Sequence, residues 1–176
     1  MVVYCRTSDH STGVRMPQPP PLIYLHGLLS NSQGFKATWL RQIFPHILTP
    51  DFEGTLDERM AHLHTVLSDT SGWVIIGSSF GGLMGALFTC QHPARVARLI
   101  LLAPALIWPE FINSPPPPVA VPTVIYHGRN DTVVPLEPVE TVAREVFTHL
   151  AFHVVEDDHG LHATVKTIDW PRLVQP

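Results

Sequence analysis

The chain has 176 residues, of which 15 are acidic and 11 are Lys or Arg, giving a formal charge of −4. Hydrophobic residues make up 45% and charged residues 15%, which excludes a disordered chain and suits one packed domain over residues 1–176. No run of Lys or Arg occurs, so the chain lacks the electrostatic footprint for nucleic acid or an anionic membrane, and neither is an expected partner.

Two cysteines, Cys5 and Cys90, make neither a disulfide framework nor a four-cysteine zinc site. The opening residues, MVVYCRTSDHSTG, show no basic segment leading into an apolar one, so no secretory signal is expected and the protein is expected to be cytoplasmic. Residues 2–6 are a candidate strand. Proline is in excess, 18 of 176, roughly twice its usual share.

LIYLH at 22–26 is a buried-strand run, followed by a polar loop at 27–34. Residues 35–44 are amphipathic, with Phe35, Trp39, Leu40 and Ile43 on one helical face. HILT at 46–49 predicts a short strand. Thr55 stands three residues ahead of Glu58, the spacing of a capping box, and Leu56, Met60, Leu63 and Leu67 form the apolar stripe that follows. From 70 to 94 no Asp, Glu, Lys or Arg occurs, a length that could span a bilayer. The stretch is not uniform, however. WVII is β-branched, GSSFGG is turn-like and LMGALFTC suits a helix, which predicts a strand at 73–76, a turn and a helix at 82–90. LILLA at 99–103 is the next strand; strands at 122–126 and 151–155 enclose a helix at 136–147. Alternating apolar strands and helices predict an α/β fold, a three-layer αβα sandwich around a mostly parallel, doubly wound sheet. Ligands of such sheets bind beyond the carboxyl ends of the strands. The proline clusters PQPPP at 17–21 and PPPP at 115–118 fall between elements, where they read as stiff connectors.

The residues suited to chemistry lie at those carboxyl ends. After WVII comes Gly77-Ser78-Ser79-Phe80-Gly81, a G-x-S-x-G pattern that presents Ser79 on a tight strand-to-helix turn. A serine nucleophile needs a base, and the base needs a carboxylate to orient it. Asp131 follows the strand ending in YHG, and His159 follows the strand ending in VVE. The chain order Ser79, Asp131, His159 is that of the nucleophile-elbow hydrolases.

The segments LHGLLSNS, GSSFGG, HGRNDTVVP and DDHG resemble the signature segments of the α/β-hydrolase superfamily, over residues 22–162. Within it the chain is similar to small bacterial single-domain serine esterases with a minimal cap. The resemblance implies a Ser79, Asp131, His159 triad and an oxyanion hole from the backbone N–H groups of Leu28 and Phe80. The chain departs from the larger members in the stretch between the strands at 99–103 and 122–126, which leaves only a short proline-rich connection at 106–121 in place of a full cap, and an open, shallow site is therefore expected. Trp108 and Phe111 are the bulky candidates there for an acyl-binding wall, or else ordinary core contacts.

Other readings stand beside this one. His162 is a rival base and Glu110 a rival acid. His159 and His162, with Glu156, Asp157 and Asp158, could form a metal site, but HxxH here follows a strand instead of lying on a long helix. His26 reads as a loop organiser and Asp51 as a turn stabiliser, while His62 and His64 read as surface residues. The expected function is a carboxylesterase-like serine hydrolase that needs no cofactor or metal and cleaves a small-molecule ester or thioester through an acyl-enzyme. The alternative is a catalytically silent hydrolase-like domain that binds a small molecule or protein partner.

Overall fold

The computed structural model describes residues 19–175, so the candidate strand at 2–6 and Cys5 lie outside the described residues. Five strands form one parallel sheet in the order β1-β2-β3-β4-β5: Leu22–Leu25, Trp73–Ser78, Val96–Leu102, Thr123–Gly128 and Leu150–Val155. Side chains alternate across it. Ile23, Leu25, Ile75, Leu99, Leu101 and Ile125 enter one core, and Tyr24, Val74, Ile76, Ile100 and Leu102 enter the other. The inner strands are largely apolar on both faces because both faces are covered, whereas the edge strand β5 leaves Ala151 and His153 exposed on one face.

The first core is closed by α2 (Leu56–Leu67), α3 (Phe80–Gln91) and α5 (Leu136–Val146). The second is closed by α1 (Phe35–Ile43), α6 (His162–Thr167) and α7 (Trp170–Leu173). The layers are therefore helix, sheet, helix. The Thr55 capping box forms at the start of α2: its side chain accepts from the Glu58 N–H, and Glu58 accepts in return from the Thr55 N–H. Among the described residues, no helix is long and apolar enough to cross a membrane.

Four expectations need correction. HILT at 46–49 makes only one bridge, Ile23 to Leu48, through two ladder bonds of 2.8 and 2.9 Å; Pro45 and Pro50 flank it and cannot donate to a ladder. The helix expected from 82 starts at Phe80, directly after the serine. The strand expected at 99–103 begins at Val96 and ends at Leu102. Three short helices were not foreseen: α6, α7 and α4 (Pro109–Ile112), each too short to display helical periodicity. After α4 the tetraproline at 115–118 runs outside regular structure to Val119, which bridges to Phe147 ahead of β4.

Leu40 is fully buried on the inner face of α1. Leu40→Ala is expected to cost about 2–5 kcal/mol, read as a lower urea midpoint at an unchanged slope.

Candidate active site

Ser79 sits where β2 turns into α3, with φ 54° and ψ −117°. This left-handed backbone strains any residue with a side chain, and four backbone hydrogen bonds hold it. Its N–H donates to the Leu102 carbonyl (3.0 Å), and its carbonyl accepts from Gly82 (2.9 Å), Leu83 (3.2 Å) and Ala105 (3.0 Å). The flanking glycines are required by contact. A Cβ on Gly77 would lie 2.5 Å from the Gly81 carbonyl oxygen, and one on Gly81 would lie 2.6 Å from the His26 carbonyl oxygen and closer still to that of Leu25. The turn thus presses β1, β2 and α3 together, leaving the Ser79 side chain to project at the sheet's carboxyl edge.

The structure brings Ser79, His159 and Asp131 into one hydrogen-bonded line. His159 Nε2 lies 3.0 Å from Ser79 Oγ, and His159 Nδ1 lies 2.7 Å from Asp131 Oδ2. Since an ionised carboxylate only accepts, Nδ1 carries the proton and Nε2 is free to accept from the serine hydroxyl. The Asp131 carboxyl group is fully buried, and its Oδ1 accepts from the N–H groups of Val133 (2.9 Å) and Val134 (2.8 Å). The acid loop and the histidine loop are laced together: Arg129 N–H donates to the Val155 carbonyl (2.8 Å) and Asn130 N–H to that of Asp157 (3.1 Å).

His127, which the sequence reading passed over, stands behind Asp131. It is fully buried, with Nε2 donating to the Val134 carbonyl at 2.9 Å and lying 3.4 Å from Asp131 Oδ2. Burial holds its pKa below the usual histidine value, more than the Val134 hydrogen bond and the Asp131 charge raise it. Its signal was its position in the segment HGRND, next to the acid.

His26 ends β1 and organises the loop that follows. Its Nε2 accepts from the Phe52 N–H (2.9 Å) and its Nδ1 donates to the Gly27 carbonyl (2.8 Å). Asp51 fastens the same loop by accepting from the N–H and hydroxyl of Ser32, and the Ser32 N–H bond holds its carboxyl below the usual range. Gly27 is thereby set against Ser79; a Cβ on it would lie 3.3 Å from the serine Cβ. Leu28 follows Gly27, and Phe80 opens the 12-residue α3. Both line the cavity over Ser79, a volume of about 510 Å³ that also borders Leu29, Phe35, Trp108 and Val133.

Trp108 stands on the cavity wall, edge-on to Phe80 with ring centres 5.0 Å apart. Phe111 is elsewhere: it is fully buried in the core under the first face, so the candidate acyl wall at this residue becomes a core contact. Glu110, the rival acid, lies beside it on α4. His162, the rival base, borders the cavity but packs edge-on against Phe35. No group of three or more His, Cys, Asp or Glu among the described residues is arranged to hold a metal ion. His62 is exposed, whereas His64, expected on the surface, is half-buried against Phe88 and His92.

Five parallel strands between helical layers, with the serine turn at the carboxyl edge, define an α/β-hydrolase fold. Mouse alpha/beta hydrolase domain-containing protein 10 shares it at a TM-score of 0.73 and 20% identity, over 90% of this chain and 91% of that one. Est1E from Butyrivibrio proteoclasticus, solved with ferulic acid bound, shares it at a TM-score of 0.69 and 16% identity, over 89% of each chain. In sequence, the human serine hydrolase-like protein is 34% identical over 102 residues, covering 48% of this chain and 50% of that protein. The human serine hydrolase-like protein 2 matches at the same identity, over 32% of its length. The chain thus spans half the length, or less, of the curated relatives it matches. No family model matches it.

The close contacts at the turn distinguish its glycines from Gly85, where an added Cβ would meet side-chain carbons no nearer than 3.2 Å. Gly81→Ala is expected to cost about 3 kcal/mol or more, and Gly85→Ala far less, in parallel thermal melts. Equal losses would contradict the contact argument.

Proposed function

We propose that the protein is a serine hydrolase of the carboxylesterase type, cleaving an ester or thioester through an acyl-enzyme. The observation that carries this reading is the line of hydrogen bonds from Ser79 through His159 to buried Asp131, at the floor of an apolar cavity. Ser79 Oγ attacks the carbonyl carbon while its proton passes to His159 Nε2. Asp131 stabilises the imidazolium through Nδ1–H. The carbonyl oxygen, now negative, accepts from the backbone N–H groups of Phe80 and Leu28, the first of them at the positive end of α3. His159 then gives its proton to the leaving alcohol or thiol as the C–O or C–S bond breaks. Water, deprotonated by His159, releases the acid and restores Ser79.

His127 acts as a positioning residue, holding the Asp131 loop through Val134. Trp108 and the apolar rim of Leu28, Leu29 and Val133 receive the substrate's apolar portion, and the short connection at 106–121 serves in place of a cap.

Hydrolysis of p-nitrophenyl esters of increasing chain length is the direct test. Wild-type protein is expected to turn them over, and Ser79→Ala to fall to the uncatalysed rate; activity that survives Ser79→Ala would contradict the assignment. Asp131→Asn is expected to lower kcat roughly 10³–10⁴-fold with little change in KM, and a loss confined to Glu110→Gln would move the acid to that residue.

A further inference from the structure

Lys36 is one of two lysines in the chain and the only Asp, Glu, Lys or Arg between residues 16 and 40. It lies in the first turn of α1 and lines the cavity with Tyr24, Ser78 and Ser79. Helix stability does not account for it. A cation in the first turn meets the positive end of the helix dipole, and that turn of α1 contains no acidic residue to offset it.

Ion pairing does not account for it either. Among the described residues, no ion pair within 4.0 Å includes Lys36. The two carboxylates whose field reaches it, Asp158 and Asp157, stand beyond ion-pair distance and accept from their own loop. Asp157 accepts from the N–H and hydroxyl of Thr164 and from the Asp158 N–H, and Asp158 accepts from the Gly160 N–H at 2.8 Å. Desolvation lowers the Lys36 pKa, and Asp158 and Asp157 oppose it. The result is a half-buried lysine with no hydrogen-bond or ion-pair partner among the described residues, in the wall of an apolar cavity that holds the nucleophile. A desolvated charge in this setting is stabilised by an anion brought into the cavity.

We propose that Lys36 is a specificity-determining residue that reads a single carboxylate on the substrate, so that the cavity selects esters bearing one carboxylate beyond the scissile group. Tyr24 lines the same wall, and its phenol, protonated at neutral pH, is a hydrogen-bond donor. One ammonium matches one carboxylate. A phosphate dianion calls for more donors and would meet stronger repulsion from Asp157 and Asp158. This inference rests on the serine-hydrolase reading above.

The test compares kcat/KM for two pairs of esters: mono-p-nitrophenyl glutarate against p-nitrophenyl butyrate, with the charge on the acyl side, and 4-carboxyphenyl butyrate against phenyl butyrate, with the charge on the alcohol side. In at least one pair, wild type is expected to favour the charged ester over the neutral one by at least tenfold. Lys36→Met is expected to abolish that preference and Lys36→Arg to restore most of it. Using the ratio within each variant removes any difference in active fraction. A wild-type preference for the neutral ester in both pairs, or ratios unchanged in Lys36→Met, overturns the role of Lys36. Hydrolysis that persists in Ser79→Ala overturns the serine reading and this inference with it, whereas Ser79-dependent hydrolysis with unchanged ratios overturns the inference alone.

Discussion

Three backbone segments meet at the end of β2 with no room for a Cβ between them. Gly77 faces the Gly81 carbonyl, and Gly81 faces the carbonyls of Leu25 and His26 at the end of β1. That contact forces the chain to reverse at Ser79 with a positive φ, a conformation that costs on the order of 1–3 kcal/mol. Bonds from β3 and the loop after it, at Leu102 and Ala105, hold the turn in place. Because the strands are parallel, the ends of β1, β4 and β5 reach the same edge of the sheet. The serine, the loop carrying Leu28, the acid and the histidine are therefore delivered to one place by the sheet itself.

The second half of the site depends on the β4–β5 pair. Gly128 pairs with Val155 at its last register position, and a side chain at Gly128 would collide with the carbonyls of Asp157 and Asp158. The two loops consequently leave the sheet in contact, which brings Asp131 and His159 together although 28 residues separate them. His127 completes the packing behind the acid.

Much of this was legible in the sequence because the relevant signals are local. G-x-S-x-G encodes a steric requirement, Thr55 and Glu58 encode a cap, and an apolar run such as WVII encodes a strand buried on both faces. What escaped depends on distant partners. Phe111 and Trp108 are three residues apart and both aromatic, yet Phe111 is fully buried in the core while Trp108, half-buried against that core, reaches the cavity wall. The single bridge at Leu48 is set by prolines on either side of a run that otherwise reads as a strand. The buried Trp170 at the head of α7 had a capping signal, Asp169 accepting from the Arg172 N–H, in a segment too short for periodicity. Lys36 carried no motif, and only the fold sets it in one cavity with Tyr24 and Ser79.

The cavity joins an apolar rim to a few polar groups of fixed position, the composition of a site that binds by shape and orients by charge. Its chemistry turns on whether Ser79 is a nucleophile activated by His159. Reaction of the folded protein with a fluorophosphonate probe, followed by peptide mapping in the mass spectrometer, measures this most directly. The account predicts one adduct, on Ser79, lost in Ser79→Ala and suppressed when His159 is replaced. An unlabelled wild type, or an adduct on another residue, would contradict it.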